Sequence, residues 1–317
     1  MQRKILTVGC YLGICMMLSC NFLNRPHKPL IGGIRPSEEA FQEIIDNSAK
    51  NDVVLSTNQA ETSNVLDESG NAVSPKETEE GINIFNHDTD VDELEIPAPI
   101  SGRSEQILKR TGYTTSYNKQ TKLPNWTAWH LTADHTSGAF KRKGVKYHED
   151  NDVPFPKAQN ADYYNSGYDR GHMCPSGDNK WSRQAQEDCF LFTNMCPQSH
   201  NLNGGDWNDL EMKCRAWAET FGDIYIVCGP IIRSKGKTIG RNKVVVPDAF
   251  FKVVLSMHGV PKAIGFLYDN EDGHAPMVSY MHSVDEIERI TGIDFFPRLS
   301  DDVESRVEAQ ANWDEWN

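Results

Sequence analysis

The stretch YDRGHMCPSGDNKWS, residues 168–182, sets Asp169, Arg170 and His172 within four positions of one another around Gly171. An acid, a guanidinium and an imidazole crowded about a glycine describe either a plain surface turn or a site. For a single charged residue in a loop, the turn is the commoner reading. The cluster gains meaning only from what the chain places beside it.

The second informative stretch is TNMCPQSHNLNGGDWNDLEMKCR, residues 193–215. Within GDWNDLEMKCRAWAETFGD, residues Trp207, Leu210, Cys214, Trp217 and Phe221 recur at three- and four-residue steps, which predicts a helix with one apolar stripe. Asn203 is expected at the start of that helix, with Glu211 and Arg215 further along it. Multiples of four residues drift slowly around a helix axis, so the three share a strip bordering the apolar face. Alone, a Glu and Arg at i, i+4 are most often a solvated pair worth a few tenths of a kcal/mol. An Asn at a helix start also reads as a cap.

Around these stretches the chain reads as mixed α and β. In NWTAWHLT, Trp126, Ala128 and His130 alternate with Thr127, Trp129 and Leu131, a strand covered on both faces. DCFLFTNM, DIYIVCGPII, KVVVPDAFFKVVLSM and KAIGFLYDN are rich in β-branched and aromatic residues and predict further strands. EQILKRTGYTTSYNKQTKLP reads as polar strand or loop. SVDEIERITGI carries Ser283 at the cap, Glu286 three residues on and Gly292 after the last turn, which predicts a short helix. A largely antiparallel sheet flanked by helices follows.

The N-terminal segment differs in character. Arg3 and Lys4 precede an apolar run too short to span a bilayer comfortably, ending in Ser19 and Cys20. Residues 1–19 read as a lipoprotein-type signal peptide whose lipid is carried by Cys20, with an ordinary secretory signal as the alternative. Residues 20–94 show no sustained periodicity and few aromatics, which predicts an acidic flexible spacer. The folded domain is expected over 95–317, held at the cell envelope by the lipid or secreted without it. The formal net charge of -13 looks wrong for a protein that binds polyanions. Yet about 16 acids against about 2 bases fall between Pro36 and Pro99, so the acidity belongs mainly to one segment. Nucleic acid is not excluded. Cys174, Cys189, Cys196, Cys214 and Cys228 contain no C-x-x-C pair, which argues against a zinc knuckle. One or two disulfides and a buried free thiol are expected.

DRGH, followed by P-x-x-D-N-x-W-S, N-M-x-P-Q and L-N-x-G-x-W-x-x-L-E, resembles the DNA/RNA non-specific endonuclease family. The resemblance runs from NWTAWHL to TGIDFFPRL. It implies an α+β fold with a ββα-metal site that hydrolyses phosphodiester bonds of DNA and RNA without sequence preference, using Mg²⁺ with Mn²⁺ as a substitute. His172 matches the family's general base, Asn203 its direct metal ligand, and Glu211 the glutamate that orients a water on the metal. Arg215 matches an arginine that meets the phosphate. Arg170 matches a second phosphate contact or a structural partner of Asp169. Asp169 and Asn194 match supporting residues, and Arg142 a further substrate arginine for which Lys143 competes. Cys174, Cys196 and His200 depart from the pattern, and a thiol hydrolase or zinc site is the weaker reading of them. A homodimer is compatible with the sequence. An inactive surface lipoprotein that binds nucleic acid on the same scaffold is the alternative function.

Overall fold

The computed structural model describes residues 93–233 and 236–317. The expected signal, Cys20 and nearly all of the acidic spacer lie outside the described residues. Among the described residues, no helix is long and apolar enough to cross a membrane.

Strands β1 (Gln106–Lys109), β2 (Thr114–Asn118) and β3 (Leu123–Thr132) open the chain. A short helix α1 (Asn160–Tyr163) leads to β4 (Asp169–His172), and α2 (Arg183–Asp188) to β5 (Met195–Gln198). Helices α3 (His200–Gly204) and α4 (Asp206–Phe221) come next, then β6 (Asp223–Ile231), β7 (Thr238–Ile239), β8 (Val244–Val245), β9 (Ala249–Ser256) and β10 (Lys262–Asp269). Strand β11 (Met281–His282), α5 (Val284–Thr291) and α6 (Asp301–Glu308) close the order. Seven strands form one antiparallel sheet, β1-β2-β3-β6-β9-β10-β11. The α+β expectation is met.

The period of two along each strand explains why helices cover both faces. Trp129, Leu131, Ile224, Ile226, Phe250, Val254 and Phe266 point into one core, which α4 closes with Trp207, Leu210 and Trp217. Trp126, Ala128, Val227, Phe251, Val253 and Leu255 point into the other, which α5 and α6 close with Val284, Ile287 and Val307. In register, Ile226 faces Val254 and Val227 faces Val253, so each core continues from strand to strand. Each such fully buried side chain contributes about 1.5–3 kcal/mol. α5 is capped as expected, with Ser283 Oγ accepting from the Glu286 amide and Gly292 closing it in the left-handed region.

Three expectations are corrected. DCFLFTNM is not one strand: Cys189 ends α2, Phe192–Asn194 form a 3-10 turn, and pairing begins only at Met195. Its apolar residues are buried because the turn is packed under the sheet, so an apolar run imitates a strand. The disulfides are absent among the described residues: all five cysteines of the domain are buried with free thiols. They fill the first core as small apolar side chains. Lastly, Asn203 does not start the long helix. It belongs to α3, and Gly205 separates it from α4 with φ -114° and ψ -112°. A Cβ at Gly205 would lie 2.5 Å from the Asn201 carbonyl oxygen, so the break needs glycine.

Candidate active site

The DRGH motif is strand β4, paired antiparallel with β5 so that Gly171 faces Cys196 and His172 faces Met195. This hairpin and α4 make the ββα unit. The opening glycine has a packing reason: a Cβ on Gly171 would sit 2.7 Å from Gln198 Cβ. Only a residue without a side chain lets the two strands close at that point. Asn194 then ties the hairpin to the loop after it. Its side chain accepts from the Cys174 amide and donates to the carbonyls of Cys174 and Cys189, each at 2.9 Å.

A pocket of about 930 Å³ gathers the candidate residues. His172, Asn203, Glu211, Arg215, Arg170 and Arg142 all line it. Asp169 and Asn194 do not line it; Asp169 holds Asn203, which does, and Asn194 braces the loop that follows His172. The strip of Asn203, Glu211 and Arg215 expected on one helix is assembled instead from α3 and α4. α3 and α4 are separate, yet Asn203 and Glu211 still open onto the same space.

His172 is buried, and its Nε2 has no hydrogen-bond partner among the described residues. The ring meets Phe190 edge-on at 5.1 Å and lies 5.9 Å from Tyr147. Trp207 Nε1 donates to the His172 carbonyl at 3.3 Å, fixing the end of β4 to the first turn of α4. Burial first, and the charge of Arg142 second, hold the imidazole down at about 3. It is neutral at physiological pH, with a ring nitrogen free to take a proton.

Asn203 Nδ2 donates to Asp169 Oδ2 at 3.0 Å, and His200 Nδ1 meets the same oxygen at 2.9 Å. Because the amide nitrogen is committed to that carboxylate, Oδ1 is the end of the side chain left for a cation. Glu211 supplies a carboxylate in the same pocket. Burial pushes Glu211 up to about 7, against the opposing pull of Lys252 and Arg215. A neutral amide oxygen and one carboxylate form a hard, sparse donor set, which fits Mg²⁺ retaining most of its own waters. Among the described residues, a separate carboxylate group, Asp285, Glu288 and Glu308, lies on α5 and α6 against the second core. Burial raises Glu288 to about 7 and Glu308 to about 9.

The arginines have different anchors. Arg215 Nη1 donates to Asp178 Oδ1 at 2.8 Å, and Trp129 Nε1 donates to Asp178 Oδ2 at 3.1 Å. Desolvation works to lower the Arg215 pKa, but Asp178 and Glu211 outweigh it and the value rises. Arg170 is not paired with Asp169. Its Nε donates to Asn160 Oδ1 at 3.0 Å, and its guanidinium lies 5.3 Å and 5.5 Å from the ring centroids of Tyr147 and Tyr163. Arg142 reaches the pocket while Lys143 lines a neighbouring cleft, which separates the two competing residues. Cys174 and Cys196 are fully buried and burial raises both thiols far above their ordinary range. Neither offers a thiolate.

Three supporting residues escaped the sequence reading. Asp178 lies in the quoted P-x-x-D-N-x-W-S pattern, but its partnership with Arg215 is visible only in the fold. Trp207 was read only as core. Lys252 occupies an inward position between Phe250 and Val254, where strand alternation calls for an apolar side chain. Its Nζ has no hydrogen-bond partner among the described residues and lies 4.4 Å and 5.4 Å from the rings of Trp207 and Trp129. Desolvation opposes its charge, but the nearby thiols, Glu211 and Asp178 favour it and raise the pKa.

The chain is 36% identical over 225 residues to "Nuclease EXOG, mitochondrial" of Danio rerio, a match covering 63% of each protein. It is 35% identical over 215 residues to "Nuclease C1" of Cunninghamella echinulata var. echinulata, covering 62% of this chain and 85% of that one. It is 31% identical over 209 residues to "Endonuclease G, mitochondrial" of Bos taurus, covering 61% and 70%. The crystal structure of an EndoG/EndoGI complex aligns with a TM-score of 0.60 at 27% identity, over 62% of this chain and 87% of that chain. The match thus spans less than two thirds of the EXOG relative's own length. The sequence model for DNA/RNA non-specific endonucleases matches residues 92–302, the segment that builds the sheet, the hairpin and the pocket, and the chain belongs to that family.

Proposed function

We propose that the protein is an exported, Mg²⁺-dependent endonuclease that hydrolyses phosphodiester bonds of DNA and RNA without reading sequence. The observation that carries this is one pocket lined together by the His172 imidazole, the amide of Asn203, the carboxylate of Glu211 and three arginines. The His172 imidazole takes the proton of the attacking water. The neutral state enforced by burial is the form that this task requires, and the phosphate of a bound substrate offsets the Arg142 charge and strengthens the base. Arg142, Arg170 and Arg215 bind phosphate oxygens, and Asp178 holds Arg215 in place while leaving the rest of its fork open to the pocket. Asn203 would hold Mg²⁺ through Oδ1, its amide nitrogen being committed to Asp169, and Glu211 would orient a water on the ion. When bound, the ion would withdraw charge from the phosphate and assist the leaving oxygen. With base-independent contacts only, neither strand sequence nor sugar type is selected.

Plasmid nicking by the mature protein, with Mg²⁺ and with excess EDTA, tests the reading. Nicking that EDTA abolishes and Mg²⁺ restores supports it. Absence of cleavage with any divalent ion assigns the pocket to binding alone.

The acid limb of kcat/KM is set by Glu211 in this scheme, because its proton competes with Mg²⁺. Activity should fall below about pH 7, and raising Mg²⁺ should move that limb to lower pH. A limb that is indifferent to Mg²⁺ concentration would belong to another group.

Export and lipid attachment at Cys20 belong to the same proposal and rest on the sequence of residues 1–20. Labelling cells with a radioactive fatty acid checks it: Cys20→Ser should lose the label while the wild type carries it.

A further inference from the structure

We infer that the cleft beside the catalytic pocket is a second subsite, which takes the phosphodiester backbone of the strand flanking the scissile bond. The inference rests on the nuclease reading above and extends it to a surface outside the catalytic residues.

The cleft has a volume of about 690 Å³ and is walled by the segment from Ala139 to His148 and by α2. Lys141, Lys143, Lys146 and Arg183 line it and all four are exposed. Glu187 is the one carboxylate in the lining. None of the four cations enters an ion pair with another described residue. The Arg183 guanidinium instead lies 5.2 Å from the Phe140 ring centroid, a contact that orders the base of its fork without neutralising it. Four unneutralised cations in one concavity focus a positive potential on a domain whose overall charge is slightly negative.

Its position selects the ligand. Lys141 and Gln186 line both this cleft and the catalytic pocket, so the two concavities share a wall. Arg142 lines the catalytic pocket alone, Lys143 the cleft alone, and Lys141 between them lines both. A strand whose scissile phosphate lies against His172 therefore meets further positive charge where its backbone leaves the pocket. Backbone phosphates are spaced regularly and are independent of base identity, so lysines on a loop can track them without selecting sequence.

The test uses the full mature chain carrying His172→Ala, which binds without cutting, and a triple substitution Lys143→Ala, Lys146→Ala and Arg183→Ala. Binding of a fluorescent single strand of about 20 nucleotides is followed across a salt series. The triple variant should bind at least about 10-fold more weakly at low salt, and the slope of log K against log salt should flatten by about 2, the value for three lost phosphate contacts. Lys143→Arg with Lys146→Arg should keep the wild-type slope, which a folding defect would not allow. On the His172 background restored to wild type, the ratio of kcat/KM for the long strand to that for a dinucleotide should fall about 10-fold in the triple variant.

Unchanged affinity and slope in the triple variant overturn the subsite. Weaker strand binding by the triple variant, in a protein that never cleaves, keeps the subsite and removes the nuclease reading. Intact cleavage with an unchanged length ratio removes the subsite and keeps the nuclease reading. A triple variant that keeps its strand affinity but no longer binds phosphatidylglycerol vesicles assigns the cleft to a lipid surface and also overturns it.

Discussion

His172→Ala lowers kcat on plasmid DNA by about 10³-fold or more, while the affinity for a nucleic-acid strand changes by less than about two-fold. The asymmetry follows from what the imidazole touches. Among the described residues Nε2 has no hydrogen-bond partner to lose, so its removal orphans none of them. The arginines that would hold phosphate are anchored elsewhere: Arg215 on Asp178 and Arg170 on Asn160. The strand therefore still binds, and what disappears is the acceptor for the water's proton. A variant that keeps a tenth of wild-type turnover at neutral pH would rule out His172 as the base.

The same substitution carries its own folding control. Burial and Arg142 hold folded His172 at about 3, whereas an unfolded histidine titrates near about 6.5. Between those values the unfolded chain binds a proton that the native state refuses. Stability from this group is thus complete above about pH 6.5 and lost as pH falls toward 3. Without the histidine that loss vanishes, so His172→Ala should drop less in Tm between about pH 7 and pH 5 than the wild type does. Lost activity with an unaltered pH slope of Tm would mean that the imidazole is not held neutral by burial.

How much of this was legible in the sequence depends on the scale at which each feature is encoded. The apolar stripe of α4 is a local periodicity, and β3, β6, β9 and β10 are local runs of β-branched and aromatic residues, so both kinds of element leave their trace within a few neighbouring positions. DCFLFTNM misled because burial alone, without alternation, does not distinguish a strand from a packed turn. Asn203 was put on α4 because spacing in multiples of four is blind to the backbone break at Gly205. Its place in the pocket survived, since α3 leads directly into α4. The cysteines were misjudged on composition: five thiols in one domain suit disulfides, but each occupies an inward position of a closed core. Asp178 and Lys252 could not be ranked from sequence, because their significance is tertiary. A buried carboxylate matters only once Arg215 is known to lie 2.8 Å away. A lysine in a strand matters only once its neighbours are seen to be Trp129, Trp207 and the charges of Glu211 and Asp178. Arg142 against Lys143 is the same case: two adjacent bases differ in function only through the cavity each one faces.

Asn203→Ala and Glu211→Ala should each reduce kcat/KM at low Mg²⁺ by about 10²-fold or more, and the double variant should lose much less than the product of the two. The reason is that both side chains serve one event, retention of the ion. Asn203 contributes a neutral oxygen, oriented because its nitrogen is taken by Asp169 at 3.0 Å. Glu211 contributes the charge, and its burial makes that charge unfavourable until a cation arrives. Removing either weakens occupancy, and once the ion is lost the second removal has little left to affect. Excess Mg²⁺ should restore Asn203→Ala in part, because Glu211 remains to attract the ion. It should restore Glu211→Ala less, because an amide oxygen alone offers no charge. Asp169→Asn should imitate a mild form of Asn203→Ala: an amide at that position lets the Asn203 side chain turn over and present nitrogen to the ion. The measurement is kcat/KM against Mg²⁺ concentration for the wild type and the four variants, with calorimetric Mg²⁺ binding as a readout independent of turnover. Strict multiplicativity of the two single losses, with unchanged Mg²⁺ affinity in either, would show that Asn203 and Glu211 act on separate steps and that the ion is held by other atoms.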